Sequence, residues 1–356
     1  MYVLIKPMKR LLAPVSWIYA IVLYIRHKLY DWGILKSRSF SVPTICIGNL
    51  ALGGTGKTPH TEYLIRMLRD KVNVAVLSRG YRRKSKGFIL ADENSTHEQI
   101  GDEPLQYRLK FNDITIAVDE DRCDGISKLM HLENHPDVVL LDDAFQHRKI
   151  RPGLNVLLTE YYNLYKNDML VPAGHLRDIK TAADRADIII VTKSPRVLLP
   201  YDKRNVINVI NAKPYQKIFF TYIDFQPLKP VNEKAKNINF EDIKSVYLFC
   251  GIANPYTLED YLKRKFNTLI INYFSDHHSY NDSDIDEIIS GYDSVIGKNK
   301  MIVTTEKDLM RITNSSYLNR FNNIPLFVIP IEVRFNDNKE EETFNNLILN
   351  YVGKNS

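Results

Sequence analysis

Lys57 and Thr58 close a glycine-rich run, Gly48-Asn49-Leu50-Ala51-Leu52-Gly53-Gly54-Thr55-Gly56, and residues of these types in this order suit the holding of a polyphosphate. Glycines let successive backbone N–H groups face an anion, and a helix starting there adds partial positive charge. Gly53, Gly54, Thr55 and Gly56 would form the cradle, Lys57 would reach the β- and γ-phosphates, and Thr58 would offer its hydroxyl to Mg²⁺. The strict pattern asks for glycine five positions before Gly56, where this chain has Ala51, so a turn with a chance Gly-Lys-Thr is the competing reading. The flanks favour the nucleotide site. Apolar Val42-Pro43-Thr44-Ile45-Cys46-Ile47 precedes it as a buried strand, and Glu62 to Leu68 follows with helical spacing.

A second set of groups fits the same chemistry. Leu140-Leu141-Asp142-Asp143 ends another apolar strand, the usual setting of a Walker B carboxylate; Mg²⁺ keeps several waters, so one or two carboxylates beside phosphate suffice. Gln146 and His147 follow closely and can approach the same cleft. Gly101-Asp102-Glu103-Pro104 is an acidic turn, and Asp276-His277-His278 a histidine pair much later in the chain. Alone each reads as solvated surface, and the histidines lack a third ligand at metal spacing. Together they suggest more: transfer of phosphate to a hydroxyl needs a positioned carboxylate to accept a proton, and a histidine from a second lobe could orient it.

These residues need strands to carry them. Runs at 72–78, 114–118, 137–143, 154–159 and 187–192 are continuously apolar and alternate with helical stretches. That is the signature of a P-loop NTPase-like, doubly wound, mostly parallel α/β sheet, whose ligands lie beyond the carboxyl ends of the strands. From about Lys217 the pattern changes to the alternation of Ile218 to Phe225, then to a second, smaller α/β series with strands at 246–250, 268–273 and 301–304. Ile331 to Phe335 alternates again before a last helix from about Glu340 to Tyr351. The expected organisation is an N-terminal helical region over 1–35, a P-loop domain over 36–216, a smaller α/β domain over 217–335 and a returning helix over 336–356. The two alternating strands would pair as a two-stranded linker between the domains.

With 356 residues, 44% hydrophobic and 25% charged, the chain is an ordinary globular protein able to hold two cores. Cys46, Cys123 and Cys250 are scattered, which argues for a reducing compartment and against a disulfide framework. A net charge of +6 suits an anionic surface but is no nucleic-acid signature, and nothing implies a protein partner. Leu11 to Ile25 is uncharged and holds Trp17, Tyr19 and Tyr24, with Lys6, Lys9 and Arg10 before it and Arg26, His27 and Lys28 after it. Its 15 residues fall short of the roughly 18 of a membrane span. An interfacial helix on an anionic membrane surface fits, and a helix packed on the domain is the alternative.

Taken together, Cys46 to Leu50 running into Gly-Gly-Thr-Gly-Lys-Thr-Pro, Ser78-Arg79-Gly80-Tyr81, Gly101 to Pro104, Leu141-Asp142-Asp143-Ala144-Phe145-Gln146-His147, Pro172-Ala173-Gly174-His175-Leu176-Arg177-Asp178, Asp276-His277-His278 and Thr304 to Asp308 resemble the tetraacyldisaccharide 4′-kinases, the lipid A 4′-kinases. The motifs come in the family's order and span nearly the whole chain, and the family's loop does not need glycine at 51. Ala144, His175 and Asp178 depart from its usual glycine, proline and glutamate. The resemblance implies ATP- and Mg²⁺-dependent phosphorylation of the 4′-hydroxyl of a tetraacylated glucosamine disaccharide 1-phosphate, at the cytoplasmic face of a bacterial inner membrane. It implies Asp102 as base with His277 as partner, and Asp142 and Asp143 serving Mg²⁺ with Asp143 the direct ligand. It places Arg79, Glu103, Arg122, Gln146, His147, Arg177 and Asp178 along the cleft. The competing reading is a membrane-associated P-loop GTPase or nucleotide switch. Val191-Thr192-Lys193-Ser194-Pro195 sits where its guanine-reading motif would fall but has proline in place of the aspartate.

Overall fold

The computed structural model describes residues 2–276, 278–313 and 317–354, whose strands form two sheets, of nine and five strands. Helix α1 (Tyr2–Asp31) leads to β1 (Thr44–Asn49), and the glycine-rich turn joins β1 to α2 (Lys57–Leu68). Then come β2 (Val74–Ser78), β3 (Ile89–Leu90), α3 (His97–Ile100), α4 (Asp102–Lys110), β4 (Thr115–Val118), α5 (Arg122–Leu129), β5 (Val138–Asp142), β6 (Leu154–Glu160), β7 (Ile188–Thr192) and α6 (Pro200–Ile210). Strand β8 (Lys217–Phe225) crosses to the smaller lobe, made of β9 (Lys229–Pro230), α7 (Glu233–Lys236), β10 (Ser245–Cys250), α8 (Tyr256–Lys263), β11 (Thr268–Tyr273), α9 (Asp282–Ser294), β12 (Lys300–Thr305), α10 (Glu306–Thr313) and β13 (Leu326–Ile329). Strand β14 (Ile331–Phe335) and α11 (Asn338–Gly353) return to the large sheet.

The large sheet runs β14-β8-β7-β6-β1-β5-β2-β4-β3, parallel except at its two outermost pairs. Strands β1, β2, β5 and β7 are buried at every residue, so they read as unbroken apolar runs rather than alternating ones. Ile45 and Ile47 face Leu64, Ile65 and Leu68 of α2 and Phe344 and Ile348 of α11, whereas Cys46 faces the opposite layer with Ile126 and Leu129 of α5. Each such side chain contributes roughly 1.5–3 kcal/mol by leaving water. The small sheet runs β11-β10-β12-β13-β9. It packs Leu258 and Leu262 of α8 on one face and Ile285, Ile288 and Tyr292 of α9 on the other. Its strand β13, set between Pro325 and Pro330, is one the sequence reading did not recognise.

The alternating strands pair antiparallel as expected, Thr221 to Phe225 against Ile331 to Phe335. The first half of β8, however, lies parallel to β7, from Ile188 opposite Lys217 to Val191 opposite Phe220. The linker is therefore an extension of the large sheet, and β8 exchanges one partner for another at Thr221.

Helix α1 buries a narrow stripe, Ser16, Leu23 and His27, and exposes Trp17, Ile18, Ile21, Val22 and Ile25 by more than half. The stripe is held by polar contacts. The Ser16 hydroxyl donates to Leu170 O at 2.9 Å, Tyr19 donates to Arg177 O at 3.2 Å, and Arg26 donates to Gln146 O at 3.2 Å. The two readings of this segment are thus compatible: the helix packs on the domain and keeps an apolar face in solvent.

Candidate active site

Strand β1 ends in a loop that only glycine can follow. Gly53 and Gly56 have φ of 106° and 90°, the left-handed region, and a Cβ on Gly53 or Gly54 would meet nothing within 4 Å. Gly56 caps α2, so the first N–H groups of that helix point out of the loop beside Lys57 and Thr58. The loop is pinned from behind. Asn49 Nδ2 donates to Thr55 Oγ1 at 2.8 Å and Thr192 Oγ1 donates to Thr55 O at 2.9 Å. His60 Nδ1 donates to Gly56 O at 2.7 Å while its Nε2 takes the Thr221 hydroxyl at 3.0 Å. Burial pulls the His60 pKa down to about 4, so this bridge from P-loop to β8 is made by a neutral ring.

Asp142 and Asp143 end β5, next to β1, and are treated unequally. Asp143 adopts a left-handed φ of 50° and gives its carboxylate to Arg177, which binds both oxygens, and to Lys57 Nζ at 3.6 Å. Burial raises the Asp143 pKa, but Lys57 and Arg177 outweigh it and leave it below the usual range. Asp142 is buried; Tyr107 of α4 donates to its Oδ2 at 3.3 Å, and its Oδ1 has no hydrogen-bond partner among the described residues. Burial first, then the charges of Asp143 and Glu103, push Asp142 up to about 7 against the pull of Lys57 and Arg122. A buried carboxylate oxygen without a partner among the described residues, on the strand beside the one that opens the phosphate loop, fits a cation. Asp143, by contrast, is paired with Lys57 and Arg177.

The remaining residues fall into three places. Arg122 is buried behind the Asp pair and donates to Asp119 O at 3.1 Å and Asp142 O at 3.5 Å. Gln146 Nε2 donates to Asn49 O at 2.6 Å, and His147, lowered to about 4 mainly by burial, has a buried Nε2 without a partner among the described residues. Arg79 is exposed on a loop whose Gly80 lies against Gly101, so the loop and the start of α4 are pressed together. Asp178 is fully buried, with its carboxylate on His27 of α1 at 2.6 Å and near Arg185 at 3.5 Å; it ties α1 to the loop that presents Arg177 instead of facing open cleft.

Asp102 opens α4, where the helix dipole favours a carboxylate. Among the described residues it meets Arg311 of α10, at 3.1 Å across the two lobes, and Glu103 meets Lys307 at 3.5 Å beside it. At the far end of α4, Lys110 joins buried Glu62 at 2.8 Å to Glu306 at 2.7 Å. His277, expected beside Asp102, lies outside the described residues. Its neighbour His278 is engaged locally, with Nε2 on Asp284 at 2.8 Å and its ring near Phe274. Sequence reasoning missed Arg311, Tyr107 and Lys110. The available signal was the three-residue step from Asp308 to Arg311, which puts both on one helix face.

A phosphate loop closed by Lys57 and Thr58, with an aspartate pair on the adjoining strand and an acidic helix start facing it from α4, defines a P-loop phosphotransferase. The model of the family described as "Tetraacyldisaccharide-1-P 4'-kinase" matches residues 8–352, and the chain belongs to that family. It is similar to the tetraacyldisaccharide 4'-kinase of Bacteroides thetaiotaomicron, at 44% identity over 97% of this chain and 93% of the relative. It is also similar to that of Flavobacterium johnsoniae, at 41% identity over 98% of each. A crystal structure of LpxK from Aquifex aeolicus in complex with ATP superposes with a TM-score of 0.73 at 28% identity, covering 97% of this chain and 99% of the other. The chain is accordingly a kinase, and the nucleotide-switch reading is not retained.

Proposed function

We propose that this chain transfers the γ-phosphoryl group of ATP to the 4′-hydroxyl of a tetraacylated glucosamine disaccharide 1-phosphate, a step of lipid A synthesis, at the surface of a bacterial inner membrane. The observation that carries the reading is the convergence of Lys57, the Asp142–Asp143 pair and α4 on one loop, with Tyr107 tying Asp142 to the helix that begins at Asp102. Lys57 and the α2 N-terminus meet the β- and γ-phosphates. Asp143 holds Lys57 and Arg177 at the cleft, and both cations can turn from it to phosphate oxygens. Asp142 Oδ1 and the Thr58 hydroxyl would hold Mg²⁺, with Asp143 within the same turn. When bound, that ion offsets charge on the β- and γ-phosphate oxygens. Asp102 accepts the proton of the attacking hydroxyl, with His277 as its partner from the smaller lobe, and Arg79, Glu103, Arg122, Gln146, His147 and Arg177 line or support the cleft.

Among the described residues no helix is long and apolar enough to cross a membrane. The exposed Trp17, Ile18, Ile21, Val22 and Ile25, followed by Arg26 and Lys28, support a helix lying in the interface, where an acylated acceptor is met. The test is an assay with γ-labelled ATP and the lipid disaccharide 1-phosphate in detergent, the product position read by mass spectrometry. Lys57→Ala should lose ~10²-fold or more in turnover while melting like the wild type. Label on a hydroxyl other than 4′, or ATP consumption indifferent to acceptor, would refute the reading.

A further inference from the structure

We infer that Arg311 is a positioning residue for Asp102, held for that task by a buried network that also reaches Tyr280; this rests on the reading of Asp102 as proton acceptor. The network begins with Asp308, which is fully buried and has both oxygens engaged. Oδ2 accepts from Gly251 N at 3.0 Å and Thr305 Oγ1 at 2.6 Å. Oδ1 accepts from Tyr280 Oη at 3.0 Å and Arg311 Nη1 at 3.0 Å. Arg311 Nη1 also reaches Gly251 O at 3.3 Å, and Nε donates to Asp102 Oδ2 at 3.1 Å. The guanidinium side chain is only 5% exposed.

Three consequences follow from this geometry. A planar guanidinium with one edge fixed on Asp308 and Gly251 can present Nε–H in one direction, so Asp102 is held at a defined angle as well as a distance. Gly251 lies directly under Ser275 and His278: a Cβ there would come within 2.9 Å of Ser275 O and 3.3 Å of the His278 Cβ. Tyr280, just beyond them, donates to Asp308. The same buried carboxylate therefore engages both Tyr280 and the guanidinium that meets Asp102. Burial opposes the charge on Arg311, but Asp308 and Asp102 more than offset it and keep its pKa above the ordinary value. Arg311 thus stands as a permanent cation 3.1 Å from the acceptor carboxylate. In a loose phosphoryl-transfer transition state little negative charge builds on the attacking oxygen, so placement of an ionised acceptor matters more than its strength.

The test is steady-state kinetics of the full-length kinase with ATP and acceptor, on Arg311→Ala, Arg311→Lys, Asp102→Asn and the double variant Asp102→Asn/Arg311→Ala. Misplacement of a reacting group costs ~10²-fold, so Arg311→Ala should lower kcat by about that factor with KM for ATP retained, and Arg311→Lys should recover part of it. In the Asp102→Asn background, Arg311→Ala should cost nothing further. The same fold-loss in both backgrounds would show that Arg311 acts independently of Asp102 and overturn the inference. Normal turnover of Asp102→Asn would instead remove the reading of Asp102, whereas an impaired Asp102→Asn beside an unimpaired Arg311→Ala would remove the positioning role alone. Should Arg311→Ala fail to fold, Tyr280→Phe removes one hydroxyl from Asp308. It should give a smaller kcat loss that again vanishes in the Asp102→Asn background; persistence there counts against the inference.

Discussion

Two adjacent aspartates with opposite proton affinities give the site its electrostatic character. Asp142, pushed up to about 7, binds a proton in the fold over a range where the unfolded chain, at 3.8, has lost it. The folded state therefore holds more protons than the unfolded one across that window, and stability falls as pH rises from about 4 to 7. His60 and His147 act in the opposite sense. Both are lowered to about 4 from 6.5, so they cost stability under acid and stop doing so once pH passes 6.5. The difference between wild type and Asp142→Asn isolates the carboxylate from the histidines. At about pH 8 the variant should melt above the wild type in the apo state, and the gap should close toward about pH 5. Melting curves recorded across this range decide it; parallel pH profiles would show that Asp142 titrates normally.

At the scale of elements, α1 joins two functions on two faces. Its buried stripe carries His27 to Asp178, next to the Arg177 that grips Asp143, while its other face is apolar and in solvent. Replacing Trp17, Ile21 and Tyr24 by serine should leave the melting temperature nearly unchanged, because all three side chains are more than half exposed. Binding to vesicles containing anionic lipid should weaken roughly 100-fold or more, since each lost side chain removes on the order of 1.5–3 kcal/mol of burial. Undiminished co-sedimentation with such vesicles would remove the interfacial role. Elements of this kind differ in how much local sequence reveals. Strands β1 and β5 were legible because burial on both faces leaves an unbroken apolar run, and the chemistry sits at their ends. The second partner of β8 was not, because alternation reports one buried face without saying what covers it. The acidic turn and motif single out Asp102 as a candidate, but Arg311 stands 209 residues away and becomes its neighbour only when the two lobes pack. The aspartate pair stands out in the sequence, but their different surroundings do not, since those depend on which of the two Arg177 can reach.

Across the whole molecule, the phosphate-binding lobe is assembled from two separated stretches of chain. Strand β14 and helix α11 come after the smaller lobe, yet Phe344, Ile348 and Val352 of α11 are buried against β1 and α2. Tyr63 of α2 donates to Glu341 and Asn345 of α11, both at 2.9 Å. Three side chains at roughly 1.5–3 kcal/mol each amount to a large share of the 5–15 kcal/mol by which a domain is stable. A chain ending at residue 335 should therefore melt in two steps, the phosphate-binding lobe well below the full-length temperature and the smaller lobe separately from it. A truncated chain that still melts sharply near the full-length temperature would show that α11 is dispensable.

That arrangement also orders events during synthesis. The smaller lobe leaves the ribosome with all of its strands and can fold while the phosphate loop, made long before, still lacks the helix that closes over α2. Nucleotide binding thus becomes a late property of the nascent chain, acquired once α11 has emerged. A ribosome that stops short of α11 releases a protein with a finished smaller lobe and a phosphate loop on an incomplete core, ready for proteolysis before it can spend ATP.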